Sequence, residues 1–153
     1  MILLALVLHV LSAVLWVGGM FFAHQVLRPV AAGLLQAPER LRLWNAVFAR
    51  FFPWVKGAIV LLFLTGFGLI HAYGGFGQVG WPVHLMLLIA LTMTVIFGLI
   101  YARPYQALKA AVAAEDWAVG AEALGVIRRL VGINLVLGLI TAAVASGGSF
   151  LPI

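Results

Sequence analysis

The chain contains no cysteine, which removes disulfides, thiolate metal sites and thiol catalysis together. Any metal must be held by histidine, methionine, carboxylate or backbone. Charge is almost as scarce: 8% of residues are charged, against about 25% in a typical soluble domain, whose surface must face water. No acid lies inside any of the long apolar runs, so a carboxylate proton relay through a membrane has no support. There is no P-loop, no zinc-protease helix and no dinucleotide fingerprint, which leaves ATP-driven pumping and nicotinamide chemistry without a basis. The 153 residues and few charges also leave no stretch for an appended catalytic or nucleic-acid domain.

What is present is hydrophobic: 65% of the residues, with a mean hydropathy of +1.20. Four apolar runs, Ile2 to Val26, Trp54 to His71, Pro82 to Tyr101 and Leu130 to Gly147, are long enough to cross a hydrocarbon core of about 30 Å, which takes about 20 helical residues. Backbone polar groups in lipid must pair within the segment, and no alternating pattern suggests a barrel, so each run is expected to be a helix. The expected fold is an all-α integral membrane protein, an antiparallel four-transmembrane-helix bundle forming a single membrane domain over residues 1–153. The first run lacks a basic n-region and outlasts a signal-peptide core, so it reads as retained.

The charges order the ends of these helices. Arg28, Arg40, Arg42, Arg50 and Lys56 flank or fill the first connection, and Arg103, Lys109, Arg128 and Arg129 the third. All four acids lie there too, whereas Ala72 to Trp81 and the tail Gly148 to Ile153 carry no charge. The positive-inside rule therefore puts both termini and the neutral loop outside, in the periplasm of a bacterium. Pro38-Glu39-Arg40 reads as a helix start, and the mixture of arginines with Leu43, Trp44, Val47 and Phe48 predicts an interfacial helix over about 39–50. A second amphipathic run, Glu115 to Arg129, leads into the last span.

Histidine is what remains for chemistry. His9 falls near the outer boundary of the first span, His71 at the outer end of the second, and His84 about one turn into the third. Three imidazoles from three helices could thus share one outer layer, and ionisable side chains at membrane depth by default mark functional sites. Imidazole suits copper, zinc and haem iron alike. His9, Ala13, Trp16 and Met20 share a stripe, and Trp16, too deep for an interfacial belt, turns that stripe toward the bundle. His84 aligns with Leu88, Leu91, Val95 and Gly98, with Met86 and Met93 on the opposite face, so a joint His84 and Met86 ligand pair is poorly aimed. On the fourth span Asn134, Gly138 and Thr141 make a polar inner stripe, and Gly138, Ala142 and Ser146 a small-xxx-small one. Against these stand plainer readings: His71 can bond a carbonyl or sit in headgroup water, and His24, one turn before Arg28, reads first as snorkelling.

Several short stretches carry a family resemblance. Leu8-His9-Val10, Trp16-Val17-Gly18-Gly19-Met20-Phe21-Phe22, Arg28-Pro29 and Arg50-Phe51-Phe52-Pro53-Trp54 resemble the membrane domain of the copper-resistance D (CopD-type) family. So do Pro104-Tyr105, Ala114-Glu115-Asp116-Trp117 and Ile127-Arg128-Arg129-Leu130-Val131-Gly132-Ile133-Asn134-Leu135. The resemblance implies a multi-pass protein of the bacterial inner membrane that handles copper, by binding and transfer or by uptake, with a periplasmic copper donor or redox partner. The chain is also similar to membrane b-type cytochromes and to haem-dependent protoporphyrinogen oxidases, in which a first-span histidine binds haem; His9 matches that position. The oxidases' third-span lysine is missing, and His84 lies nearby.

Three readings follow. A copper ion would use His9, His71 and His84; haem b would lie between His9 and His84 beside Trp16, making the chain a redox protein; or the chain is a structural subunit without a cofactor. The resemblance places copper ahead of haem, and four short helices enclose so little space that a homo-oligomer or a partner is expected for any transport path.

Overall fold

The computed structural model describes residues 1–148; the tail from Ser149 to Ile153, expected above on the outer face, lies outside the described residues. The described chain is all helix and turn. Helix α1 (Ile2–Phe21) runs through a π-helical turn (Phe22–Leu27) into α2 (Arg28–Leu34). Then follow α3 (Ala37–Ala72), α4 (Trp81–Ala102), α5 (Pro104–Ala113) and α6 (Trp117–Gly147). Together they make four rods of 33, 36, 33 and 31 residues, each long and apolar enough to cross a membrane. The protein is a multi-pass membrane protein. At 1.5 Å per residue every rod exceeds the roughly 20 residues that a bilayer core needs, so each projects beyond it.

Local sequence sets where the rods start and turn. Pro29, Pro38, Pro82 and Pro104 sit in the first turns of α2, α3, α4 and α5, where a missing N–H costs nothing. The turn after α3 needs two left-handed residues, Gly74 (φ 95°) and Gly75 (φ 92°), and Gly75 N–H donates back to the Ile70 carbonyl at 2.8 Å. Asp116 caps α6 by accepting from the Val119 N–H at 3.1 Å. Pro104 pushes Arg103 out of the α region (φ −120°, ψ −80°), which divides the third rod into α4 and α5.

Pro53 behaves otherwise. The interfacial helix expected over 39–50 and the span expected from Trp54 are one continuous helix, α3. Proline leaves the Ala49 carbonyl without its helical donor. Yet Leu41, Trp44, Phe48, Phe52 and Val55 are all buried, at spacings of three and four on a stripe that continues straight past Pro53. Packing along that stripe holds the helix through a residue that would otherwise end it. The amphipathic run expected over 115–129 is likewise, from Trp117 on, the first part of α6, with Glu115 and Asp116 in the turn before it.

The rods pack antiparallel, α1 on α3 and α4 on α6, with α1 and α6 also in contact and α5 lying on α6. Aromatic side chains fill the centre. Trp16 meets Phe97 edge-on with centroids 6.4 Å apart, Phe97 meets Phe52 at 5.3 Å, and Phe52 contacts Tyr105 at 4.8 Å. Phe48 stacks on Phe52 at 5.0 Å and Trp44 follows at 5.3 Å. Such pairs each add about 0.5–1.5 kcal/mol beyond burial. Gly138 is where α6 comes close to its neighbours: a Cβ there would lie 2.7 Å from Val17 and 3.3 Å from Met93. Asn134, fully buried, ties α6 to α4 by donating to the Met93 carbonyl at 3.0 Å. Farther along, Ala142 and Ser146 are exposed, so the expected small-residue stripe leaves the interface after Gly138.

Candidate functional site

His9 is half-buried on α1, and its Nδ1 lies 2.9 Å from Thr65 Oγ1 on α3. The Thr65 hydroxyl has one hydrogen, and its shortest contact, 2.5 Å to the Leu61 carbonyl, uses it. Thr65 therefore accepts from His9, which fixes the hydrogen on Nδ1 and leaves the Nε2 lone pair available. This is how a metal-binding imidazole is ordinarily held, with the far nitrogen committed to an oxygen and the near one free. The next residue on α3 matters for a different reason. A Cβ at Gly66 would stand 3.2 Å from His9 Cε1, so glycine there lets the ring lie flat against the helix.

The ring opens on a cavity of about 210 Å³ between α1, α3 and α4. Its wall is almost wholly apolar and includes Trp16, Gly66, Tyr73 and Met86. The stripe His9, Ala13, Trp16, Met20 does face the bundle: Trp16 and Met20 are buried, and Trp16 and His9 share this cavity.

His84 is not brought there. It is exposed, its Nδ1 is 3.2 Å from the Gly80 carbonyl within its own first turn, and its ring lies 6.0 Å from Phe76. Leu88, Leu91 and Val95, which share its stripe, are exposed too. The inward face of α4 is the opposite one, carrying Met86 into the cavity and then Ile89, Met93, Phe97 and Ile100 into the core. Two residues on a helix are about 200° apart, so turning Met86 inward turns His84 outward. His71, in the last turn of α3, is exposed as well. Among the described residues, no three His, Cys, Asp or Glu side chains form a group that could hold a metal ion, so the expected layer of His9, His71 and His84 does not close on one centre.

Met86 is the side chain that the sequence reading set aside, as lying on the face opposite His84. Its signal was the spacing Met86, Ile89, Met93, Phe97, Ile100, a stripe with the bulkier aromatic on it. Because α4 is apolar on every side, that signal competes with an equally hydrophobic face.

Residues 45–147, which span most of α3 and all of α4, α5 and α6, match the family model described as CopD, copper resistance protein D. The chain belongs to the CopD family. Searches of curated proteins and of solved structures gave no match. Within this CopD-family chain, Thr65, Gly66 and Met86 lie inside the matched residues, and His9, which shares the cavity with Gly66 and Met86 and bonds Thr65, lies before them. The donors that the cavity offers are thus one imidazole nitrogen and one thioether sulfur, with a phenol, Tyr73, on the same wall.

Proposed function

We propose that this CopD-family protein takes up or passes on copper as a cargo ion, held between the His9 Nε2 and the Met86 sulfur in the cavity between α1, α3 and α4. The observation that carries the reading is the His9 to Thr65 hydrogen bond, which leaves a free imidazole nitrogen on a ring that lines the same apolar pocket as the Met86 thioether. Thioether and imidazole are donors that favour Cu(I) among biological cations, and neither adds a negative charge. A monovalent ion with neutral ligands is the form of copper least penalised in a low-dielectric site.

The charge pattern supports an orientation with the basic ends of the rods toward the cytoplasm and both termini outward, which makes the His9 end periplasmic in a bacterial inner membrane. On that orientation, the exposed imidazoles His71 and His84 flank the uncharged Tyr73–Gly80 turn, where copper from a periplasmic donor would first meet ligands. A second copy or a partner protein would complete any path across the membrane.

A haem b reading has less support. It needs a second axial imidazole facing His9, and His84 is turned outward onto Gly80. The cavity, about 210 Å³, is also below the roughly 300–1,000 Å³ usual for organic ligand sites. Purified protein reduced with dithionite is expected to show no Soret band.

The test is Cu(I) titration of purified protein against a chromophoric chelator. Wild type is expected to hold one tight equivalent, His9→Ala none, and His84→Ala the same as wild type. Retention of the tight equivalent by His9→Ala would overturn the assignment.

A further inference from the structure

A second, larger cavity of about 400 Å³ lies at the basic end of the bundle, roughly 20 Å along the first rod from His9. Arg28, Arg40 and Arg128 line it from three different helices, α2, α3 and α6, and no acid does. Among the described residues the only ion pair is Arg42 with Glu115, so none of these three guanidiniums has a carboxylate partner. Arg28 and Arg40 are half-buried, and three like charges facing one space repel unless an anion enters it.

His24 lines the same cavity. Its Nδ1 is buried and has no hydrogen-bond partner, while Nε2 faces α6 where a Cβ at Gly132 would come within 3.1 Å. His24 sits on the π-helical turn, Phe22–Leu27, a form that is rare and recurs at functional sites. The rest of the wall is apolar, with Trp44 and Phe48 at its base. Arg128 is exposed, as an arginine at a membrane boundary would be, but a snorkelling histidine would not leave a ring nitrogen enclosed and without a partner beside these guanidiniums.

We infer that this cavity binds a phosphoryl anion, its oxygens taken by Arg28, Arg40 and Arg128, with His24 in the wall behind them. Guanidinium forks match phosphate oxygens in geometry as well as charge. The apolar wall and the place at the ends of the rods suit the headgroup of an anionic phospholipid whose acyl chains follow Trp44 and Phe48. Free phosphate presents the same oxygens, and the experiment separates the two sources.

Whole protein would be reconstituted into nanodiscs containing equal amounts of phosphatidylglycerol and phosphatidylcholine, released, and weighed by native mass spectrometry. In parallel, inorganic phosphate would be titrated by calorimetry into lipid-free protein in an uncharged detergent. Wild type is expected to retain phosphatidylglycerol over phosphatidylcholine, and Arg28→Gln/Arg40→Gln to lose that preference by about tenfold. Arg129→Gln, next in sequence but not lining the cavity, is expected to behave as wild type. Phosphate heat that vanishes in the double variant, without lipid preference, would assign the same site to a soluble phosphate. If gel filtration shows that the double variant does not fold, Arg40→Gln alone is read by the same criterion. Absence of selective binding in both arms, or an equal loss in Arg129→Gln, would overturn the inference.

Discussion

Replacing Thr65 with valine tests the copper reading at a residue that never touches the ion. Valine keeps the shape of threonine at a buried position but removes the oxygen that accepts from His9 Nδ1 at 2.9 Å. Without it, the ring is no longer held to one tautomer or one orientation. Loss of such a supporting partner typically weakens metal binding by about 10–100-fold, or about 1.4–2.7 kcal/mol. The expected effect is about tenfold, the lower end of that range. The assay is Cu(I) competition against a chelator of known affinity, with helical content followed by circular dichroism. Thr65→Ser, which keeps the hydroxyl, is expected to bind as wild type does. Valine and serine variants of equal affinity would refute the argument that the hydroxyl organises the imidazole.

Three further outcomes follow from the packing. Gly66→Ala places a methyl 3.2 Å from His9 Cε1 and is expected to lower Cu(I) affinity with little change in helical content; unchanged affinity would show that the ring need not lie against α3. Asn134→Leu removes a bond to the Met93 carbonyl but also an unpaired buried Oδ1. Bonds of this kind in membranes average about 0.6 kcal/mol and an orphaned polar atom costs about 1–3 kcal/mol, so unfolding in mixed micelles should show a neutral or stabilised protein. Asp116→Ala deletes the cap on α6 and is expected to cost about 1 kcal/mol in the same assay; no change there would mean that contacts with α5 hold this end alone.

Much of the architecture could be read from residue order because lipid imposes a simple rule on apolar runs of this length. The inward face of α1 was readable for the same reason that it is useful: His9 and Trp16 are large polar-tipped residues on a helix that is mostly aliphatic. The inward face of α4 was not, since Leu88, Leu91 and Val95 are as hydrophobic as Ile89, Met93 and Phe97, and hydrophobicity does not distinguish a lipid-facing side from a protein-facing one. Choosing the stripe with the histidine reversed the helix and put Met86 on the outer side. The unbroken α3 was missed because Pro53 is a local signal, whereas the stripe from Leu41 to Val55 that overrides it is a tertiary one. His24 lies four residues beyond Met20, on the continuation of the buried stripe; that spacing was the available sign that it turns inward.

X-ray absorption at the copper edge on Cu(I)-loaded protein reads the atoms bound to the ion. Wild type is expected to show a nitrogen and a sulfur scatterer, with the sulfur lost in Met86→Leu and the bound copper itself lost in His9→Ala. A wild-type spectrum without sulfur, or one in which the sulfur persists after Met86→Leu, would contradict copper binding between His9 and Met86.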